Sequence, residues 1–241
     1  MTRMDGSVAL VTGAGSGIGR ALALALAREG AAVWLCGRDA TKLEETAALI
    51  VGGSSRDVVA RADLTADADA DALAARLRAE AGRLDLLVHS AGVFRMGPWT
   101  DVPAEELDAL YRTNVRAPYR LTRSLLPLLK ASRGQVVFVN SSAAVNPGPN
   151  WGAYAATKSA LRSLADSLRA EVNRDGVRVL SVFPGRTASP MQASIFAAEG
   201  RPYAPEKLLQ PGDVAAAVLQ ALTLPRTAEL TDLHIRPMQK G

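Results

Sequence analysis

Short apolar runs alternate with longer amphipathic stretches from one end of the chain to the other. Residues 7–12, 32–36, 58–62, 84–89, 135–140, 177–183 and 229–235 have the length and the apolar, β-branched content of strands. Between them, residues 18–28, 39–50, 66–81, 154–173 and 213–223 read as helices, with Asp39 as a cap. Residues 103–133 read as two long helical segments bent near Pro118. Strands that are apolar on both sides need cover on both faces, and alternating βα units supply it around a parallel sheet. The pattern predicts an α/β fold, a doubly wound parallel sheet of about seven strands with helices on both faces. Residues 52–55 and 147–152 are loop-sized and no repeat or low-complexity linker divides the chain, so residues 1–241 read as one domain.

In this architecture ligands sit beyond the carboxyl ends of the strands. Function is therefore expected at residues 13–19, 37–39, 63, 89–92, 141–151 and 184–191. The first of these is Thr12-Gly13-Ala14-Gly15-Ser16-Gly17-Ile18-Gly19, which follows a strand and opens a helix. Glycines permit positive φ and let backbone approach a pyrophosphate, while a helix N-terminus offers free N–H groups to an anion. The turn points to dinucleotide binding and a Rossmann-type fold, with a merely flexible turn as the plain alternative.

Tyr154 and Lys158 stand one helical turn apart, so a phenol and an ammonium share a face. A free tyrosine has a pKa of about 10, and bringing it near neutrality takes roughly 4 kcal/mol of differential stabilisation. A neighbouring cation supplies part of that, which would make Tyr154 a general acid/base with an acidified phenol. Taken alone, Tyr-x3-Lys also fits a packed tyrosine and a solvated lysine.

Composition narrows the class without naming a chemistry. Hydrophobic residues make up 48% and charged residues 22% of 241, a globular balance. The net charge of +4 is mild and the cations are scattered among acids, which argues against nucleic acid as a partner. Cys36 is the only cysteine, so neither an internal disulfide nor a thiolate zinc site is expected, and no metal is predicted. No apolar stretch approaches the roughly 20 residues of a membrane span and no secretory leader is visible, so a cytoplasmic protein is expected.

The spacing Gly13-x3-Gly17-x-Gly19 resembles the TGxxxGxG turn of the compact short-chain dehydrogenase/reductase family, and the resemblance extends over nearly the whole chain. Asp63 matches the family's adenine-binding acid, with Leu64 beside it. His89-Ser90-Ala91-Gly92 matches the NNAG segment, with His89 and Ser90 replacing Asn-Asn. Asn114, Ser141, Tyr154 and Lys158 match the catalytic tetrad, and Pro184-Gly185 matches the cofactor-side loop. The resemblance implies hydride transfer between a nicotinamide and a carbonyl or secondary alcohol. In it Ser141 holds the substrate oxygen, a role for which Ser142 is a rival by type. Asn114 holds a water linking Lys158 to solvent, although an Asn there also fits a solvent-facing position. Thr187 and Ser189 stand where the family contacts the nicotinamide carboxamide, in a segment that departs from its usual Val/Ile-then-Thr pattern.

Gly37 occupies the position after the second strand where an acid would chelate the ribose diol of NAD, and Arg38 follows it. A guanidinium suits a 2′-phosphate, so NADP(H) is preferred and NAD(H) remains possible; a rim arginine paired with Asp39 is the alternative. Asp63 also fits a capping role. The substrate pocket is assigned to Phe94, Asn146, Trp151, Met191 and Ile195, which suit a small or medium apolar ketone or aldehyde, while Arg95 and Arg186 offer charge for an acidic one. The segment Met191 to Pro211 is either a lid or a connecting loop. Apolar excess on the helices of 107–129 and 154–172, which relatives use for assembly, predicts a homodimer or homotetramer. Two rivals stand beside the enzyme: a non-catalytic NADP(H)-binding redox sensor or scaffold, and a nucleotide-sugar epimerase or dehydratase, whose longer C-terminal domain this chain does not match.

Overall fold

In the computed structural model, which describes residues 4–50 and 57–238, each apolar run becomes a strand of one sheet. The strands are β1 (Val8–Thr12), β2 (Ala32–Gly37), β3 (Val58–Arg61), β4 (Leu86–His89), β5 (Gln135–Val139), β6 (Arg178–Pro184) and β7 (Asp232–Ile235). All pair in parallel in the order β3-β2-β1-β4-β5-β6-β7. The helices are α1 (Gly17–Arg28), α2 (Ala40–Ala48), α3 (Asp67–Glu80), α4 (Ala104–Tyr111), α5 (Ala117–Ser132), α6 (Gly152–Val172), α7 (Pro190–Ala198) and α8 (Pro211–Leu222). The expected loop at 52–55 lies outside the described residues.

Side-chain alternation on β1 shows why both faces need helices. Ala9 and Val11 enter one core with Leu22, Leu26, Val214 and Val218 of α1 and α8. Leu10, between them, enters the other core with Leu73, Leu77, Leu121, Leu125 and Leu161 of α3, α5 and α6. The chain winds outwards from β1 to β3, then returns to place β4 on the opposite side of β1. That reversal opens a crevice at the carboxyl ends of β1 and β4, as a Rossmann-like sheet does.

Two expectations change. The break between α4 and α5 is not at Pro118 but in a single π turn, Arg112–Arg116, that carries Asn114. Pro118 is the second residue of α5 in an unbroken helical run, and having no N–H it cannot bond back into the π turn that precedes it. The segment after Met191 is not simply a loop: Pro190–Ala198 is helical and capped by Ser189, whose hydroxyl accepts from the Gln192 N–H at 3.1 Å. Gly200, Pro202 and Pro205 hid this short helix because they punctuate the residues just beyond it. Among the described residues no helix is long and apolar enough to cross a membrane.

Candidate active site

The glycine turn forms the floor of the crevice. Gly13 adopts φ +68°, and a Cβ there would stand 2.8 Å from the Ala91 backbone nitrogen. A Cβ on Gly19 would collide with the Gly13 carbonyl. Thr12 locks this turn to the one after β4, its hydroxyl accepting from the N–H groups of Ser90 and Ala91, each at 3.1 Å. Ser16 is the exposed N-cap of α1, its side chain unused in capping, and with Gly17, Ile18 and Gly19 it lines the cleft. Free N–H groups, absent side chains and a spare hydroxyl fit a pyrophosphate. Gly15 is a correction: it does not line the cleft but packs on α2. A Cβ there would stand 3.0 Å from the Lys42 Cβ, and its carbonyl accepts from Arg20 at 2.6 Å.

At the far end of the cleft Gly37, Arg38, Asp63 and Leu64 form the rim. Asp39 pairs with Lys42 at 3.0 Å rather than with Arg38. Arg38 is exposed and forms no ion pair among the described residues. Asp63 does cap locally: one carboxylate oxygen accepts from the Thr65 N–H at 3.0 Å and hydroxyl at 2.8 Å. The Thr65 N–H, with the Thr65 hydroxyl and the Arg38 charge, holds its carboxyl below the usual range.

Three residues meet elsewhere along the cleft. Ser141 follows β5, Tyr154 lies in the first turn of α6, and Lys158 is one turn further on. The Ser141 side chain stands close enough to the Tyr154 phenol to lower its proton affinity, and its hydroxyl accepts from the Ala143 N–H at 3.1 Å. Lys158 is buried; its Nζ donates to the Val139 carbonyl at 3.0 Å and lies 5.9 Å from the Tyr154 ring centroid. Burial lowers its pKa from 10.5 to about 8. Burial also raises the Tyr154 pKa above 10, with Ser141 opposing. Burial thus acts on the phenol in the direction opposite to the expected acidification.

Asn114 is buried and fully engaged. Its Oδ1 accepts from the Val93 N–H at 2.9 Å, and its Nδ2 donates to the Val93 carbonyl at 3.0 Å and the Thr157 hydroxyl at 3.1 Å. It ties the segment after β4 to α6, both Nδ2 protons are used, and Oδ1 accepts one bond of the two it can take. Gly92 permits the approach, since its Cβ would stand 3.3 Å from Asn114 Oδ1.

The substrate side is aromatic. Phe94 packs edge-on against Tyr154 at 4.7 Å and against Trp151 at 6.3 Å, and Met191 and Ile195 complete that wall. Asn146 is a correction: it is exposed, outside the cleft lining, with its N–H donated to the Ser142 carbonyl at 2.9 Å. Arg95 pairs with Glu106 through Nε and is exposed outside the cleft lining, whereas both terminal nitrogens of Arg186 are taken by Glu199. Pro184, Gly185, Thr187 and Ser189 line the cleft as expected, although the Thr187 hydroxyl donates to the Gly185 carbonyl at 3.0 Å.

Two cleft residues were not singled out individually in the sequence. Asn140 and Gln192 are buried, line the cleft, and leave Asn140 Nδ2 and Gln192 Nε2 without a partner among the described residues. Each orphan donor costs about 1–3 kcal/mol unless a ligand oxygen meets it. Only burial reveals them, because an amide next to a motif carries no spacing signal. The cradle and these donors together fit a dinucleotide carrying an amide. Among the described residues no cluster of three or more potential metal ligands occurs.

Comparison with known proteins agrees with this geometry. An uncharacterized oxidoreductase of Staphylococcus epidermidis is 33% identical over 239 residues, covering 99% of this chain and all of that one. An alcohol dehydrogenase from the archaeon Thermococcus sibiricus, solved with 5-hydroxy-NADP, superposes with a TM-score of 0.87 at 28% identity over 98% of both chains. A 3-ketoacyl-(acyl-carrier-protein) reductase from Brucella melitensis, solved with NADH, gives 0.85 at 31% identity, covering 96% of this chain and 97% of that one. The model of the short chain dehydrogenase family matches residues 7–200, the span from β1 through α7 that holds the glycine turn, Ser141, Tyr154 and Lys158. With sequence, sheet order and site in agreement, this chain belongs to the short-chain dehydrogenase family, whose members are oxidoreductases that use a nicotinamide cofactor.

Proposed function

We propose that the protein is an NADP(H)-preferring oxidoreductase that interconverts a small or medium apolar ketone or aldehyde and its alcohol. One observation carries the reading: Ser141, Tyr154 and buried Lys158 line one cleft together with the glycine cradle. When bound, the nicotinamide supplies or accepts the hydride. Tyr154, holding its proton, donates it to the developing alkoxide in the direction of reduction. Ser141 orients and stabilises that oxygen. Lys158, with a pKa brought down to about 8, restores the proton, and Asn114 positions the loop and helix that frame them.

Gly37 and the unpaired Arg38 support NADP(H), as they leave no acid to repel a 2′-phosphate. The aromatic wall and the neutralised Arg95 and Arg186 support an uncharged substrate. Exposed Leu107, Tyr111 and Tyr119 on and between α4 and α5 support a homodimer or homotetramer, which light scattering at micromolar concentration tests. We read the chain as one domain acting in the cytoplasm, where its one cysteine stays a thiol.

The test is a panel of carbonyl compounds followed by NADPH absorbance, repeated with Tyr154→Phe. Turnover should collapse by about 10²–10⁴-fold while NADPH affinity stays within a few-fold. A variant as active as the wild type would remove Tyr154 from the chemistry, and a wild type that binds NADPH and turns over nothing would favour the sensor or scaffold.

A further inference from the structure

One cation in the cleft wall has no part in the proton chemistry. Arg186 follows Gly185 at the end of β6 and lines the cleft beside Trp151 and Ile195. Its guanidinium lies between two aromatic faces, 5.7 Å from the Trp151 centroid and 5.0 Å from that of Phe196. Both terminal nitrogens donate to Glu199, Nη1 to Oε2 at 2.9 Å and Nη2 to Oε1 at 2.6 Å. Glu199 sits just past α7 with its side chain 13% exposed, and Arg201 approaches Oε2 at 3.4 Å.

A planar guanidinium held against aromatic rings is a ready carboxylate receptor. Here the bidentate fork is filled from within the chain. An anionic substrate would have to displace Glu199, leaving that carboxylate largely buried with only Arg201 to meet it, an expensive exchange. An uncharged substrate meets the aromatic faces and disturbs nothing. Contacts other than Glu199 also place Arg186: its guanidinium lies over the Trp151 and Phe196 rings, and its backbone is held. The Arg186 carbonyl accepts from the Leu209 N–H at 3.1 Å, and the Ser189 N–H donates to the Tyr203 hydroxyl at 3.1 Å, fixing the backbone on that side of α7.

We propose that Glu199 determines specificity: by occupying Arg186 it closes an anion receptor in the cleft and confines the protein to uncharged carbonyl and alcohol substrates. Removing the Glu199 charge opens the site to carboxylates. The substrate language rests on the function proposed above, so the test reads binding rather than turnover.

Hexanoate and hexanamide, matched in length and differing in charge, are titrated into the wild type, Glu199→Gln, and Glu199→Gln with Arg186→Met. The signal is tryptophan fluorescence, because Trp151 stacks on the guanidinium, with calorimetry alongside. Glu199→Gln should tighten hexanoate by about tenfold or more, the worth of one charge-assisted pair, and change hexanamide by less than about twofold. The double variant should lose the gain. Hexanoate bound no more tightly by Glu199→Gln, or a gain that persists without Arg186, overturns the proposal. If thermal melts show that Glu199→Gln does not fold, Arg186→Met alone decides. Its hexanoate affinity should match the wild type, because the receptor is already closed, and a tenfold loss would show that Arg186 serves anions unaided. A chain that turned over no carbonyl compound would still answer this question, and an active enzyme with unchanged hexanoate binding would sink only the role of Glu199.

Discussion

Lys158→Met should stabilise the fold while abolishing activity. The lysine is 5% exposed, and burial lowers its pKa from 10.5 to about 8. At about 1.4 kcal/mol per pH unit, keeping it charged at pH 7 costs the folded state roughly 3 kcal/mol. Methionine fills similar volume without that cost but leaves the Val139 carbonyl unpaired, which returns about 1–2 kcal/mol. The net gain of about 1–2 kcal/mol corresponds to a Tm rise of roughly 2–8 °C for a chain of this length. The pH dependence identifies the cause. A lysine with a depressed folded pKa leaves the unfolded chain with more protons between about pH 8 and 10.5, so the wild type gains stability as pH rises through that window. Methionine cannot titrate, so its advantage should be full at pH 7, shrink above about pH 8 and reverse before about pH 10.5, where only the unpaired Val139 carbonyl separates the two proteins. Melts of both proteins across this range are the assay. A lower Tm for Lys158→Met at pH 7, or a gap that does not change with pH, would refute the argument that lysine is held there at the expense of stability.

Four further outcomes follow from single contacts. Gly19→Ala, whose new methyl meets the Gly13 carbonyl, should weaken NADPH binding by more than about tenfold in calorimetry. Gly15→Ala, which meets only the Lys42 Cβ, should weaken it far less. Asn114→Ala removes three hydrogen bonds and should cost about 2–4 kcal/mol in urea unfolding, because the half-buried Val93 N–H and carbonyl lose their partner and Thr157 loses a donor. His89, stacked on Phe138 at 5.0 Å and bonded to Thr122 at 2.8 Å, has its pKa lowered to about 3 by burial, so the unfolded chain takes up the proton first as pH falls below about 6.5. Wild-type stability should therefore drop by up to about 1.4 kcal/mol per pH unit between about pH 6 and 4, and His89→Asn should remove that slope whatever it does at neutrality. Arg38→Asp should shift the NADPH/NADH ratio of kcat/KM by about tenfold or more towards NADH, and an unchanged ratio would remove Arg38 from cofactor choice.

The sequence by itself determined the order of elements and most of the cofactor cradle, because both are written in local pattern. Strands that bury both faces must be apolar throughout, and a turn that meets a pyrophosphate must be glycine where a Cβ would strike backbone, as at Gly13 and Gly19. Ser141, Tyr154 and Lys158 were legible for a related reason: a fixed strand and helix hold them at fixed intervals. What tertiary structure alone decided is whether each group is free and what its surroundings do to its charge. Asn114 is spent on Val93 and Thr157, Arg186 on Glu199, and Gly15 on α2, each through a partner distant in sequence. The orphan amides of Asn140 and Gln192 exist only because the folded cleft excludes other partners. The proton affinities of Tyr154 and Lys158 belong here too, since desolvation is a property of the assembled interior and no interval along the chain encodes it.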